Sequence, residues 1–270
     1  MKFICPKCSL ALSLSDGGAL RCARSHSYDR SREGYYNLLL SNTSAHGDNA
    51  EMVAARRRFL ATGAYLPLAK RIAEAVAAAP FASPAVLDIG CGEGYYTNII
   101  EEGLTAENKA ALVYGFDISK DAVRQAAKKN KRLSLAVASA YHMPFADGEF
   151  DVAVNVFSPL AIEETQRVLH KGARFFMAIP GENHLFGLKS LLYETPYKNE
   201  VADTALAGFK LLGEERIAYE LSLSSREEVA SLFMMTPYAY RTKREACEKI
   251  LALDSLKTEI EFILFEYERL

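Results

Sequence analysis

The sequence predicts an α/β protein in which a doubly wound, mostly parallel β-sheet follows a small cysteine-rich module. Three observations support this fold class. From residue 85 onward, short apolar runs alternate with stretches of helical period, the pattern of parallel strands joined by crossover helices. The first apolar run leads directly into a glycine-rich turn. Three of the five cysteines lie within the first 22 residues, ahead of this pattern.

The composition limits what the chain can be. Its 270 residues, half of them hydrophobic, suffice for one large domain with a small module. No apolar run reaches the ~20 residues of a membrane span and no secretion signal begins the chain, so we expect a cytoplasmic protein without a membrane partner. The net charge of −2 does not indicate nucleic-acid binding, but residues 1–35 carry a local charge of +3, which leaves −5 for the rest.

Residues 1–35 are predicted to form a zinc-binding module. Cys5 and Cys8 form a Cys-x-x-Cys pair, and Cys22 and His26 follow as a second pair. Three thiolates and an imidazole make a closed tetrahedral site, which is structural because no position stays open for a catalytic water. The module has few apolar residues, so Zn²⁺ would supply much of its folding free energy. The alternative, a redox Cys-x-x-Cys motif, normally opens a helix within a larger α/β domain.

A nucleotide-binding corner is predicted where the first strand, 85–89, ends. Gly90, Gly92 and Gly94 allow a sharp turn and the close approach of a ligand, and a helix can begin at Tyr95. The glycines alone are a weak signal, because a nicotinamide dinucleotide site or a turn without a ligand would use similar residues.

Acidic residues around this turn make the prediction more specific. Asp88 precedes the first glycine, and Asp117 ends the second strand, where its carboxylate can accept both ribose hydroxyls of an adenosine. Glu93, within the turn, would repel a pyrophosphate but could face a cationic ligand. These features resemble the class I methyltransferases, which bind S-adenosylmethionine (AdoMet) on a seven-stranded, mostly parallel sheet. We therefore expect AdoMet at this corner, with Tyr95 among the residues beside it.

Later strand ends supply further candidates, because ligands of open α/β sheets bind beyond the carboxyl ends of the strands. Ser139 stands where many class I members have Asp, and it could hydrogen-bond the adenine amino group. Asn155 would face the cofactor, while Phe157 and Ser158 would border the methyl acceptor. Phe157 could stack on a planar base, although a core position is equally compatible with the sequence.

A general base cannot be selected from the sequence. His184 stands at a predicted helix start and could contact the AdoMet carboxylate, lie at the acceptor or only cap the helix. Glu163 is a second candidate, and water is a third.

Residues 36–80 are predicted to be a linker followed by two helices, at 51–62 and 66–79, that cover the cofactor site. The linker region, 27–47, interleaves arginine and tyrosine residues. These could meet RNA phosphates and unstacked bases, or the tyrosines could pack on the main domain.

Residues 81–270 are predicted to form the methyltransferase domain, with one late strand antiparallel to the others. A capping box, Ser224-x-x-Glu227, predicts the start of a helix. The predicted strands are 85–89, 111–117, 133–138, 150–156, 173–179, 216–223 and 258–267. The other predicted helices are 95–103, 119–130, 160–169, 184–193 and 243–252.

Longer stretches resemble one family over nearly the whole chain. They are the N-terminal Cys/His pattern, GYYNLL, AEMVAARRRFL, LDIGCGEGYYT, PGENHLFGLK and MTPYAYR. The family is the RlmA-type 23S rRNA (guanine-N1-)-methyltransferases, which include macrolide-resistance members. The resemblance implies methylation of a guanine N1 in a 23S rRNA hairpin loop, by a homodimer whose zinc modules help form the RNA cleft. By matching positions, it implies zinc ligands at Cys5, Cys8, Cys22 and His26, and AdoMet contacts at Tyr65, Glu93, Gly94 and His184.

Two other classes of function remain compatible with the sequence. A methyltransferase of small molecules or proteins with a zinc appendage would act without RNA and would tolerate loss of residues 1–35. A zinc-containing RNA-binding protein with a vestigial cofactor fold would retain RNA but not bind AdoMet, and the intact glycine turn disfavours it.

Overall fold

The computed structural model describes residues 2–40, 47–201 and 204–270. Its helices are α1 (Ala50–Ala61), α2 (Leu66–Ala78), α3 (Tyr95–Ala106), α4 (Lys120–Lys129), α5 (Ile162–Val168), α6 (Phe186–Leu192), α7 (Arg226–Met234), α8 (Tyr238–Arg241) and α9 (Arg244–Leu251). Its strands are β1 (Ser13–Leu14), β2 (Leu20–Arg21), β3 (Ser27–Tyr28), β4 (Tyr36–Asn37), β5 (Ala85–Ile89), β6 (Leu112–Asp117), β7 (Ser134–Val137), β8 (Phe150–Val156), β9 (Leu169–Pro180), β10 (Phe209–Leu223) and β11 (Leu256–Arg269). Within these described ranges, no helix is both long enough and apolar enough to cross a bilayer.

The large sheet has the predicted architecture. In the described part of the chain, eight strands join it in the order β10-β11-β9-β8-β5-β6-β7-β4. The strands from β4 to β9 pair in parallel, and β11 is antiparallel to both of its neighbours. The fold class is therefore confirmed. The carboxyl ends of β5, β6, β8 and β9 meet at one edge, where a ligand of such a sheet binds.

Two long strands begin earlier than predicted. β9 begins at Leu169 rather than at 173, and β10 begins at Phe209 rather than at 216. β10 pairs with β11 from Phe209 opposite Arg269 onward. After the buried Phe209, residues 210–214 are exposed, so pairing with β11 rather than burial defines this part of the strand.

The cap of α7 lies one residue later than predicted. Ser225 accepts a hydrogen bond from the Glu228 amide, and the Glu228 carboxylate accepts one from the Ser224 amide at 2.9 Å. The sequence Ser-Ser-Arg-Glu-Glu satisfies the capping-box spacing at two adjacent positions, and only the structure selects between them.

The predicted linker contributes a strand to the large sheet. Tyr36 and Asn37 form β4, which pairs in parallel with β7 at the sheet edge. Tyr35 and Tyr36 are buried, and the Tyr36 hydroxyl donates to the carbonyl of Gly18 at 3.0 Å. Of the two possibilities left open, packing on the main domain is therefore the one observed. The end of the predicted linker, 41–46, lies outside the described residues.

The N-terminal module covers part of one face of the sheet. Helices α2, α3 and α4 pack on the other face, where they share a core with Val86 of β5 and Val113 of β6. The core on the module side joins Leu87 of β5 to Phe3, whose ring stacks on Phe145 with centroids 5.2 Å apart. The module thus shares its core with the sheet, while the domain boundaries at 35 and 80 stay predictions.

Candidate functional site

The four predicted zinc ligands come together from two similar turns. Cys5 and Cys8 stand in the turn before β1, and Cys22 and His26 stand in the turn between β2 and β3. In the first turn the Cys8 amide donates to the Cys5 carbonyl, and in the second the Cys22 amide donates to the His26 carbonyl. A serine with left-handed backbone completes each turn. These serines are Ser9 and Ser25.

The distances within this cluster fit a tetrahedral metal site. The ligand atoms all lie within 4.8 Å of one another. The sulfurs of Cys8 and Cys22 are 3.7 Å apart, and His26 Nδ1 lies 3.3 Å from the Cys5 sulfur and 3.5 Å from the Cys22 sulfur. Four ligands at ~2.3 Å from a zinc ion would be separated by about 3.7 Å. The residues present therefore fit Zn²⁺.

The environment of Cys5 favours the thiolate form of its side chain. Burial by itself would raise its pKa, but hydrogen bonds from the Tyr28 hydroxyl and from the Lys7 and Cys8 amides lower the pKa to about 6. The Tyr28 oxygen lies 3.2 Å from the sulfur. Because the thiolate is the form that ligates metals, this environment suits Cys5 as a metal ligand.

The glycine-rich turn is held by hydrogen bonds to the end of β6. The Gly90 and Cys91 amides donate to the Phe116 carbonyl, and the Gly92 amide donates to Asp117 Oδ2 at 3.0 Å. Gly90, Gly92 and Gly94 all have positive φ, which side chains other than hydrogen disfavour. Gly94 caps α3 without a side-chain hydrogen bond, so amides of the first helical turn face the open corner.

Ser158, which follows β8, packs against this turn and hydrogen-bonds to the end of β5. Its hydroxyl donates to the Ile89 carbonyl at 2.7 Å, and a Cβ at Gly90 would lie 2.4 Å from the Ser158 Cβ. The structure therefore gives Ser158 a packing role against the turn. Its place among the catalytic candidates stays a prediction.

The two acidic residues at the corner have different environments. Asp88 is 2% exposed and accepts a hydrogen bond from Thr97, so it ties β5 to α3. Burial raises its pKa to about 7, against the lowering effect of the Thr97 bond. Asp117 is half-buried, and burial also raises its pKa, although bonds from the Ser119 and Gly92 amides oppose this. Each Asp117 oxygen keeps a lone pair for a ribose hydroxyl.

Tyr65 and His184, which are 119 residues apart in sequence, meet at the same edge of the sheet. The Tyr65 hydroxyl lies 3.3 Å from His184 Nε2, and His184 Nδ1 accepts from the Glu261 amide. Burial and the nearby Lys189 lower the pKa of His184 to about 3, so the ring is neutral at pH 7. With Nδ1 accepting, the ring hydrogen is assigned to Nε2, which donates to Tyr65. The hydrogen of the Tyr65 hydroxyl is then not used in the contact with His184 and is free to bond another group.

Phe157 borders this pair at the end of β8. Its side chain is 41% exposed, which does not fit the core position that the sequence left open. Its backbone is left-handed, with φ of 54°, a strained conformation for a large side chain. Its ring lies 6.3 Å from that of Tyr65 and 5.2 Å from that of Phe262. Asn155 is buried, and its amide donates to the Pro159 carbonyl.

The remaining predicted residues, Ser139, Glu93 and Glu163, differ in burial and in hydrogen bonding. Ser139 is buried at the end of β7, and its hydroxyl accepts from the Tyr141 amide at 3.2 Å. Glu93 lines a groove with Tyr95 and Lys129, and burial raises the pKa of Glu93 to about 7 although nearby cations oppose this. Glu163 is exposed in the first turn of α5.

The sequence did not indicate three residues that complete the wall beside Phe157. Phe262 packs between Tyr65 and His184, with centroids 4.8 Å from each ring. Glu261 supplies the amide that fixes the His184 ring, and Tyr96 meets Phe157 edge-on. Phe262 and Glu261 belong to an ordinary strand pattern. Tyr96 stands in the recognised motif, but the pattern gives no direction for its side chain.

Comparison with known proteins covers both parts of the chain. The family model for a methyltransferase domain matches residues 82–224, just over half of the chain, and the zinc-ribbon model described as RlmA, N-terminal, matches residues 3–43. The 23S rRNA (guanine(748)-N(1))-methyltransferase of Streptomyces fradiae is 37% identical over 81% of this chain and 79% of its own length. A relative from Micromonospora griseorubida, provisionally named a 23S rRNA (guanine-N(1)-)-methyltransferase, is 35% identical over 88% of this chain and 86% of its own length. This chain belongs to the RlmA family of methyltransferases.

A third relative agrees with this membership. A Bacillus subtilis relative with the same provisional name is 32% identical over 90% of this chain and 88% of its own length. Among solved structures, the YcgJ protein of Bacillus subtilis matches with a TM-score of 0.46 at 16% identity, over 75% of this chain and 98% of that one. The resemblance of the sequence to the RlmA family is therefore confirmed.

Proposed function

We propose that this RlmA-family chain transfers a methyl group from AdoMet to N1 of a guanine in a hairpin loop of 23S rRNA. The observation that carries the proposal is the match of an RlmA N-terminal zinc ribbon and a methyltransferase domain within one chain. Each part supports its own half of the activity, because the ribbon retains a four-ligand cluster and the domain retains its glycine turn.

The residues at the carboxyl edge of the sheet suit AdoMet. The backbone of the turn from Gly90 to Gly94 would lie against the ligand, Asp117 would accept the ribose hydroxyls, and Ser139 would border the adenine. Tyr65, oriented by neutral His184, has a proton to donate toward the methionine end of the ligand. Bound AdoMet supplies an activated methyl group, so the protein mainly has to align donor and acceptor.

The guanine would lie beside Phe157. A half-exposed aromatic ring at the end of β8 can stack on a base that has left its helix, which is how enzymes that modify bases reach their target. N1 of guanine carries a proton that must leave. We assign this proton to water rather than to His184, because the low pKa of His184 and its bond to the Glu261 amide make it a poor acceptor.

The metal cluster would stabilise the N-terminal ribbon, which is the part of the protein proposed to contact RNA. Zn²⁺ bound by Cys5, Cys8, Cys22 and His26 would fix the two turns of the ribbon, which carries a local excess of positive charge. The family resemblance implies that two copies together form the RNA cleft, so we propose a homodimer. A cytoplasmic location follows from this substrate.

The test is methyl transfer from labelled AdoMet to an unmodified 23S rRNA transcript, followed by mapping of the labelled nucleotide. The expected result is label on N1 of a single guanine. The matched control is the same transcript carrying N1-methylguanosine at the mapped position, which should accept no label. Label that appears only on protein or on small molecules would reject the RNA substrate and leave the methyltransferase assignment intact.

A further inference from the structure

We propose that the Tyr96 hydroxyl donates a hydrogen bond to O6 of the acceptor guanine and thereby stabilises the charge that develops there during methylation. The inference rests on the proposed function, which supplies the guanine. It assigns a contact with the substrate base to a residue that neither the motif nor the family resemblance marks.

The first observation is a hydroxyl without a partner. In the described ranges of the chain, the hydroxyls of Tyr96 and Thr242 are buried and make no hydrogen bond. Thr242 ends α8, far along the chain from the cofactor turn. Burying an unpaired hydroxyl costs stability, so a folded protein retains one chiefly where a ligand or an ordered water completes it.

The second observation is the position of this hydroxyl. Tyr96 is the second residue of α3, directly after the glycine turn. Its ring meets Phe157 edge-on, with centroids 6.3 Å apart, and Phe157 lies at the same distance from the ring of Tyr65. The Tyr65 oxygen already interacts with His184. Tyr96 therefore lies beside the ring of Phe157, which borders the proposed acceptor, and carries an unused donor.

The third observation is the protonation state. Burial raises the pKa of Tyr96 well above its ordinary value, and the neighbouring Tyr65 and Tyr95 add to this effect. The hydroxyl therefore keeps its proton and acts as a donor throughout the neutral pH range. Guanine presents an acceptor at O6, to which a protonated hydroxyl can donate.

The same contact would assist the reaction. When the N1–H bond breaks, its proton passes to water and the negative charge spreads over N1 and O6. N1 then bonds to the methyl carbon while the carbon–sulfur bond breaks and sulfur keeps the electron pair. A donor to O6 stabilises the charge that develops there.

The experiment is the substitution Tyr96→Phe, which removes one oxygen and keeps the ring. We expect kcat for methyl transfer to unmodified 23S rRNA to fall about 10²-fold, as for the loss of one donor to a developing oxyanion. The Kd for S-adenosylhomocysteine, measured by calorimetry, should stay within about twofold of the wild-type value. A parallel loss of affinity for S-adenosylhomocysteine would show that the hydroxyl serves the cofactor and would overturn the proposal.

A stability measurement separates this contact from a structural one. Tyr96→Phe breaks no hydrogen bond within the described protein, so its melting temperature should not fall. The matched control is Tyr219→Phe, because the Tyr219 hydroxyl donates to the Ala64 carbonyl at 2.6 Å. We expect this control to melt about 2–4 °C lower. A similar drop for Tyr96→Phe would reveal an internal partner and overturn the proposal.

The results also distinguish the inference from the function on which it rests. An active wild-type protein with an equally active Tyr96→Phe variant would remove the inference alone. A wild-type protein that methylates no guanine in 23S rRNA would remove the proposed function, and this inference with it.

Discussion

The metal cluster and the cofactor corner are built from different parts of the chain. The cluster consists of side chains that lie close in sequence, since Cys5 and His26 are 21 residues apart. The corner consists of backbone from one short turn and of side chains from distant segments, such as Tyr65 and His184. One site is closed around its own ligands, and the other is open toward a ligand from outside.

This difference decides what holds each site in place. The cluster has similar turns and four groups of matching chemistry, so a metal ion can organise it. The corner depends on the sheet, because Asp117 and Phe116 of β6 and Ser158 after β8 hold the glycine turn from two sides. We therefore expect the cluster to lose its metal when one ligand is replaced. We expect the corner to lose AdoMet binding when the backbone of its turn changes shape.

The largest effect should follow from Cys8→Ser. A serine hydroxyl is a poor zinc ligand, so the zinc content should fall from about one ion per chain to nearly none, and methyl transfer to 23S rRNA should fall more than ~10²-fold. The melting temperature should also fall, because Phe3 of the ribbon packs on Phe145 of the main domain. Metal analysis and the RNA assay measure these outcomes.

The matched control for this prediction is Cys247→Ser, which changes a half-buried thiol on α9 outside the cluster. It should keep full zinc content and activity. A Cys8→Ser protein that still holds a full zinc ion and methylates RNA would show that Cys8 is not a zinc ligand.

The contrast between a local cluster and a corner built from distant segments also explains which features the sequence predicted. The four residues of the cluster were predicted to come together and do so, because residue type and spacing indicate a local metal site. The strand and glycine turn of the corner were also predicted, since β5 is apolar and is followed by three glycines. The roles of Glu261 and Phe262 were not predicted, because the pairing of β11 with β9 places them beside His184 and no local pattern encodes that pairing.

Burial was the second property that local patterns could not supply. Tyr35 and Tyr36 could have met RNA or the core, and only the addition of β4 to the sheet edge showed them buried. Phe157 stood in an apolar run, yet a left-handed backbone turns it partly outward. Both outcomes depend on contacts between segments that are distant in sequence.

The next largest effect should distinguish two glycines of the same turn. Gly90→Ala would place a Cβ 2.4 Å from the Ser158 Cβ at a φ of +74°, so it should cost about 3 kcal/mol of unfolding free energy and abolish AdoMet binding. Gly92→Ala has a φ of +53° but meets no atom within 4 Å, so it should cost only about 1 kcal/mol. Urea unfolding and calorimetry with AdoMet measure both quantities.

The double variant Gly90→Ala, Ser158→Gly tests the stated cause. Removing the Ser158 side chain relieves the overlap but not the backbone strain, so part of the lost stability should return. Equal stability of the two single alanine variants would contradict the contact between Gly90 and Ser158.

The smallest effect concerns pH and applies to the corner rather than to the cluster. Burial raises the pKa of Asp88 from 3.8 to about 7, so the folded protein holds a proton that the unfolded chain releases between these values. The free energy of unfolding should therefore decrease as pH rises from 5 to 8, by on the order of 1–3 kcal/mol from this group. Asp88→Asn cannot ionise and can still accept from Thr97, so it should reduce this slope in urea unfolding experiments; the raised pKa of Glu93 adds a slope of the same sign that remains. The exposed Asp254→Asn should leave the wild-type slope unchanged, and a slope in Asp88→Asn as steep as that of the wild type would assign the dependence to another group.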